Sequence, residues 1–203
     1  ELSGLSWDED EGLLYAISDQ GNLFQLQPVI TNHTLTSADL LSAYPLRDEA
    51  GKPLRPRYRD AEGLAILHGN NGIKGDSQLR ISFERIPSMA LFTPTGKLLK
   101  RDTLPKPLQN VKNYVNRNKA LESVTIHPQF GILTAPEWPL KGNPGKIVIY
   151  SLAGLQWSFP PHPAPNSAVV ALEALEDGSV LVLERAWVSI WRPLIISLRR
   201  VWL

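Results

Sequence analysis

The 203-residue sequence predicts an all-β fold, either a β-propeller or part of one, built from four-stranded antiparallel blades. Short apolar runs bounded by Gly, Pro, Asn or Asp recur along the chain, as in Leu13–Ile17 and Val180–Leu183, and this pattern is typical of strands. The 17 prolines and 14 glycines leave little room for long helices. A β-sandwich or a barrel of unrelated strands is the alternative all-β fold.

One plan recurs four times along the chain. An acidic residue opens a short apolar strand, a turn follows, and a second strand ends in another acidic residue. The four segments run from Glu1 to Asp19, from Asp60 to Arg85, from Leu121 to Glu137, and from Leu172 to Arg185. Propeller blades repeat every ~40–50 residues, or more when their loops are long, so this recurrence favours the propeller over the sandwich.

Further hairpins supply the outer strands of the blades. Met89–Phe92 is followed by a Gly-containing turn and Leu98-Leu99, which is typical of a hairpin. A short helix is predicted at Ser37–Ala43, after the possible N-caps Thr36 or Ser37, and a second one at Pro107–Asn118. Residues 1–203 are expected to form a single domain that is incomplete at both ends, because the patterned strands begin and stop abruptly. These ends favour a larger propeller over a closed four-bladed one.

Composition excludes several classes of function. With a net charge of +1, no general affinity for nucleic acid is expected. The absence of cysteine excludes a disulfide scaffold, a thiolate zinc site and a cysteine nucleophile. No apolar run is long enough to predict a transmembrane helix. No G-x-S-x-G motif is present, and the four histidines have no metal-binding spacing.

The repeated acidic residues form the candidate site. The start of an inner strand and the end of its antiparallel neighbour lie at the same rim, so these carboxylates are expected to converge on one mouth of the propeller channel. The candidate metal ligands are Glu1, Asp19, Glu62, Glu84, Glu122, Glu137 and Glu184. Carboxylate oxygens suit a hard divalent cation, with calcium expected first and magnesium or manganese as alternatives. Alternatively, the carboxylates cap strand ends or pair with arginines.

A cation held there would polarise an ester and activate water, a spare carboxylate would act as base, and arginine would stabilise an anionic transition state. The candidate catalytic residues are Glu62, Glu84, Arg85, Glu184 and Arg185. Basic loops would attract a phosphorylated substrate or would simply be solvated. One of these loops runs from residue 97 to 119 and includes Arg117.

Six strings, in order, resemble the phytase-like family, which is described by an esterase-like activity. They are ELSGLSWDEDEGLLYAISDQGNLFQL, RDAEGLAI, LRISFERIPSMALF, NKALESVTIHP, LTAPEWPL and VLVLERAW. This chain departs from the family at Glu122-Ser123-Val124, where Glu-Gly/Ala-Leu is usual, and at the opening of the fourth repeat, Leu172–Leu175. The resemblance implies a propeller-like fold, export to the periplasm or beyond, and functional Asp and Glu residues.

The resulting hypothesis is a metal-assisted phosphoesterase or other ester hydrolase. Its partner would be a small molecule, with phosphorylated compounds among the candidates, and neither nucleic acid nor a membrane span is expected. The alternatives are a non-catalytic calcium- or ligand-binding module of the cell envelope and, by fold analogy, a sugar-lactone hydrolase.

Overall fold

A computed structural model describes residues 1–116 and 118–203. Four antiparallel sheets account for the strands of these residues, and in each sheet successive strands of the chain lie side by side. Contacts divide the chain into two compact units, which are described in turn. Arg117, part of a predicted basic loop and of the predicted helix at Pro107–Asn118, lies outside the described residues.

The first unit comprises Glu1–Phe83 and Met89–Asp102. Its sheets have the strand orders β1-β2-β3-β4 and β5-β6-β7-β8. The strands are β1 (Leu2–Asp8), β2 (Leu13–Ser18), β3 (Asn22–Thr31), β4 (Thr34–Pro45), β5 (Ala61–Leu67), β6 (Gln78–Phe83), β7 (Ser88–Phe92) and β8 (Leu98–Arg101), with a 3₁₀ turn at Pro56–Tyr58. β1 packs beside β5, and apolar side chains such as Ile17, Leu79 and Phe92 form a common core.

The second unit comprises Glu84–Ser88 and Thr103–Leu203. One sheet has the order β12-β11-β10-β9 and the other the order β13-β14-β15. The elements are α1 (Lys106–Gln109), a 3₁₀ turn at Val111–Asn113, β9 (Leu121–His127), β10 (Gly131–Pro136), β11 (Ile147–Ser151), β12 (Gln156–Phe159), β13 (Ser167–Ala174), β14 (Ser179–Ala186) and β15 (Ile195–Trp202). β9 packs beside β13, and Leu133, Val169 and Val182 belong to the core they share.

The predicted fold class is confirmed. The chain is an all-β protein of the propeller class, because each sheet is an antiparallel meander, which is the topology of a propeller blade. Three blades have four strands, and the fourth has three strands in the part of the chain that the structure describes.

The helix predicted at Ser37–Ala43 is wrong. These residues belong to β4, where Ser37 pairs with Val29 and Ala43 pairs with Phe24 of β3. A weak local capping signal is outweighed by the hydrogen-bond ladder of a long hairpin. Of the second predicted helix, the described residues form the single turn α1 and a 3₁₀ turn. No helix in the described residues is both long and apolar enough to cross a membrane.

A register irregularity recurs at one place in every blade, near the start of its first strand. The pairing shifts between Leu2 and Gly4, between Ala61 and Leu64, at Glu122, and between Val169 and Ala171. β-bulges of this kind locally redirect side chains and occur often beside active sites. The shared bulge also shows which residues of the four blades are structurally equivalent.

The bulge corrects three of the predicted equivalences. Relative to it, Glu1 is equivalent to Asp60 and not to Glu62. In the fourth blade Glu184 pairs across the strands with Val169, so Arg185 and not Glu184 occupies the position of Glu84 and Glu137. The fourth repeat also does not open at Leu172–Leu175 as predicted, because the acidic residue of this segment, Glu173, lies near the far end of β13. Residue spacing alone did not show the inserted bulge residue.

The first unit contains a buried ion pair. Arg80 on β6 contacts Asp102, which follows β8, and each side chain is only 7% exposed. The backbone N–H of Asp102 donates to the carbonyl of Met89, which anchors this end of the blade. Arg80 Nε is buried without a hydrogen-bond partner, so the guanidinium depends strongly on the carboxylate of Asp102.

We expect Gly4→Ala to lower the free energy of unfolding by about 1–3 kcal/mol, because overpacking forces the backbone to shift. A Cβ at Gly4 would lie 2.6 Å from the carbonyl oxygen of Glu62 and 3.1 Å from the amide nitrogen of Leu64 on β5. Urea unfolding followed by tryptophan fluorescence measures the change. Gly142→Ala is the matched control, since a Cβ at Gly142 has no atom within 4 Å. Equal unfolding midpoints for the two variants would contradict the close approach of β1 and β5.

Candidate carboxylate site

Three of the predicted carboxylates come together in the second unit. Glu84, Glu122 and Glu137 each present an oxygen within 4.8 Å of the other two. Glu122 occupies the bulge of β9, Glu137 directly follows β10, and Glu84 directly follows β6. The sequence repeat thus places three acidic residues at strand ends, and the bulge gives Glu122 its direction.

Backbone hydrogen bonds hold this cluster in place. The N–H of Glu137 donates to the carbonyl of Ala120 at 2.7 Å, and the N–H of Val169 donates to the carbonyl of Glu137 at 2.9 Å. The N–H of Ala120 donates to Glu84 Oε1 at 3.4 Å. The residues before and after the carboxylates are therefore anchored to neighbouring strands, which fixes where the side chains begin.

Glu137 is the most buried carboxylate of the cluster, with a side chain only 1% exposed. Its Oε1 accepts a hydrogen bond from Lys119 Nζ at 2.7 Å and lies 3.9 Å from Arg185 Nη2. Burial raises the pKa of Glu137, while Lys119, Arg185 and the neighbouring Glu122 carboxyl group act in the opposite direction. Its Oε2 is buried and has no hydrogen-bond partner.

A cavity of about 570 Å³ opens beside Glu137. Lys119 and Arg185 line it together with Trp138 and Trp187. The Lys119 ammonium lies 5.6 Å from the centre of the Trp138 ring. Trp138 Nε1 is buried without a hydrogen-bond partner, so two polar atoms on adjacent residues, a carboxylate oxygen and an indole N–H, lack partners at this place.

The donor set of the cluster fits a hard divalent cation. All three groups offer carboxylate oxygens, the ligands that calcium, magnesium and manganese prefer. The partnerless Glu137 Oε2 is the oxygen most in need of such a cation.

Three further predicted metal ligands, Glu1, Asp19 and Glu62, belong to the first unit. Glu1 and Asp19 are neighbours in the first unit, where the amino group of Glu1 lies 3.1 Å from Asp19 Oδ1. Glu62 is a half-buried residue of β5, also in the first unit. Arg85 lines a different cavity of the second unit, of about 610 Å³, together with Lys106.

Glu184 has a fully buried side chain whose oxygens are engaged by other groups of the second unit. Its Oε2 accepts from Arg199 Nε at 2.5 Å. Its Oε1 accepts from the N–H of His162 at 2.8 Å and from Ser167 Oγ at 3.3 Å. This pattern is typical of a carboxylate that joins strands and loops, since its lone pairs are directed at the protein itself.

Lys119 and Arg199 are the residues that sequence reasoning missed. Lys119 was only one member of a basic loop, yet it makes the shortest ion pair of Glu137. Arg199 lies on β15, where its guanidinium also stacks 5.1 Å from the ring centre of Phe159. Their roles depend on pairing between distant segments, and the one local signal was the short separation of Lys119 from Glu122.

Together, these features define a protein of the propeller class with a buried cluster of carboxylates beside a cavity lined by cations and tryptophans. The chain belongs to the phytase-like family, described as "Esterase-like activity of phytase", whose model matches residues 1–202. No curated protein matches the chain.

Solved structures of similar proteins share little sequence with this chain. A protein of unknown function from Bacteroides caccae has 11% identity and a TM-score of 0.49, and the alignment covers 100% of this chain and 61% of that one. Virginiamycin B lyase from Staphylococcus aureus has 13% identity and a TM-score of 0.48, and the alignment covers 98% of this chain and 55% of that one. The structure of U3-55K has 11% identity and a TM-score of 0.48, and the alignment covers 96% of this chain and 51% of that one. This chain therefore spans between half and two thirds of each of these structures.

Proposed function

We propose that this protein is a cation-assisted ester hydrolase whose site is the cluster of Glu84, Glu122 and Glu137. The observation that carries the proposal is Glu137 Oε2, a buried carboxylate oxygen that has no hydrogen-bond partner and belongs to a group of three carboxylates. Membership of a family described by an esterase-like activity supports the same reaction class. An extracytoplasmic location is part of the proposal, on the basis of the family resemblance.

Glu84, Glu122 and Glu137 would hold the divalent cation, with calcium as the first candidate. When bound, such a cation polarises the ester and lowers the pKa of water. A carboxylate oxygen of the cluster that the cation leaves free would accept the proton of the attacking water.

Lys119 and Arg185 would bind the anionic part of the substrate. Both reach Glu137 Oε1 and both line the adjoining cavity, so an anion in that cavity would contact them directly. Cations in this position also stabilise negative charge that develops in the transition state. Arg185 thus keeps the catalytic role predicted for it, whereas we propose a structural role for Glu184.

One observation favours a second candidate, a binding module without turnover. Lys119 already occupies Glu137 Oε1 at 2.7 Å, so part of the negative charge is neutralised by the protein itself. A site of this kind holds a cation or an anionic ligand without an open position for reacting water. Cation binding is common to both candidates, and ester turnover separates them.

The test of the proposed site is cation affinity. After dialysis against chelator, calcium, magnesium and manganese are titrated by calorimetry into the wild type, Glu137→Gln and Glu122→Gln. We expect each variant to weaken binding by at least about tenfold, because an amide replaces a charged ligand. Glu176→Gln is the matched control, since Glu176 is an exposed turn residue of the same unit.

Circular dichroism of each variant establishes that it is folded before affinities are compared. Unchanged cation affinity in a folded Glu137→Gln protein would contradict the proposed cation site. Where affinity is lost as expected, aryl phosphates, carboxylic esters and lactones are screened for hydrolysis with and without the bound metal. Cation binding without turnover of any ester would favour the binding module.

A further inference from the structure

The cavity beside Glu137 has an apolar wall that the reaction proposed above does not use. Trp187, Val188 and Leu194 form this wall, in the segment that follows β14. Their exposures are 55%, 43% and 53%, so large apolar side chains stand open to solvent beside a polar cluster. An exposed apolar patch rimmed by polar groups is typical of a ligand-binding surface.

The opposite side of the same cavity is polar. Lys119 and Arg185 supply positive charge, and Trp138 supplies a buried indole N–H without a partner. All three are hydrogen-bond donors, which complement the oxygens of a phosphate or carboxylate. The cavity therefore has two chemically different ends, and a volume of about 570 Å³ is enough for a small molecule that reaches both.

Charge limits which anions the cavity can accept. Among the described residues that line it, two are cations, and the carboxylate of Glu137 opposes them. A single phosphate or carboxylate group matches this balance. A polyphosphorylated polyol would bring many negative charges against this small positive charge and has no apolar part to cover Trp187.

We propose that the cavity selects esters with one anionic group and one apolar ring or chain, the anionic group on Lys119 and Arg185 and the apolar part on Trp187, Val188 and Leu194. The inference rests on the proposed function for the reaction itself. It goes further by assigning the substrate class to amphipathic monoesters and not to polyanions.

A matched pair of ligands without a cleavable ester tests this assignment. Benzylphosphonate and methylphosphonate share a head group and differ in the apolar ring. Both are titrated by calorimetry, once with chelator and once with saturating calcium. We expect benzylphosphonate to bind about tenfold tighter than methylphosphonate, the difference that one aromatic contact contributes.

Two variants assign the difference to the two ends of the cavity. Trp187→Ala is expected to remove the advantage of benzylphosphonate and leave methylphosphonate unchanged, whereas Arg185→Gln weakens both ligands. Trp202→Ala is the matched control, because Trp202 is an exposed tryptophan of β15 that does not line the cavity. Inositol hexakisphosphate, as the polyanion, is expected to bind no tighter than benzylphosphonate.

Equal affinities for the two phosphonates, tightest binding of the polyanion, or no benzylphosphonate binding in either condition would overturn the assignment. These readouts do not involve turnover, so they remain distinct from the test of the reaction. Hydrolysis with no preference for the apolar ring would leave the proposed function standing and remove this inference. The expected preference for the apolar ring without hydrolysis of any ester would support this inference and contradict the proposed hydrolase function.

Discussion

Replacing Asp102 with alanine is expected to lower the free energy of unfolding by about 3–5 kcal/mol, because it leaves a buried cation without its partner. Arg80 and Asp102 have side chains that are each 7% exposed, so water cannot replace the lost carboxylate without opening the core. Arg80 Nε already lacks a hydrogen-bond partner, and the substitution adds further unsatisfied donors. Urea unfolding followed by tryptophan fluorescence measures the loss.

The double variant Arg80→Met, Asp102→Leu separates the cost of a buried charge from the value of the pair. Removing both charges removes the desolvation cost together with the attraction, so we expect its stability to approach that of the wild type. An Asp102→Ala protein within about 1 kcal/mol of the wild type would mean that Arg80 reaches solvent, as an exposed ion pair would allow.

The second large effect is expected at Glu184. Glu184→Ala should cost about 3–5 kcal/mol of stability, because Arg199, Ser167 and the His162 N–H all lose their acceptor. Calcium affinity should stay at the wild-type value in the fraction that is folded, since the oxygens of Glu184 face these donors. Chemical unfolding and calorimetry, run on the same preparation, give the two quantities.

Glu184→Gln is the milder companion to this substitution. It keeps the shape and one acceptor oxygen, so the protein is expected to fold even if Glu184→Ala does not. Loss of cation binding in a folded Glu184→Gln protein would return Glu184 to the metal ligands predicted from sequence. Retained binding, together with a lower unfolding midpoint, would support its structural role.

The strand pattern and the recurrence of acidic strand ends were sufficient to predict blades, because both follow from local residue order. The helix prediction at Ser37–Ala43 failed because a local capping signal does not show the hydrogen-bond pairing of these residues with β3, the preceding strand of the same hairpin. The same limitation explains the misaligned fourth repeat. Glu184 pairs with Val169, which puts Arg185 in the position of Glu84 and Glu137, and residue spacing alone does not show this cross-strand register.

At the site, sequence reasoning identified seven carboxylates, and Glu84, Glu122 and Glu137 are among them. It could not rank them, because the ranking depends on which oxygens the protein already satisfies. Arg199 donates a hydrogen bond to Glu184 Oε2, whereas Lys119 donates to Glu137 Oε1 and Glu137 Oε2 has no hydrogen-bond partner. Neither partner is close in sequence to the carboxylate it contacts, so its contribution emerges only from the folded chain.

The shared bulge has a consequence for how such a protein varies over evolution. At this position the four blades carry Ser3, Glu62, Glu122 and Val170. A bulge residue stands outside the regular ladder, so its side chain can be exchanged while the neighbouring pairs keep their register. Each blade therefore offers one position where new chemistry can be acquired or lost independently, without redesign of the core beneath it.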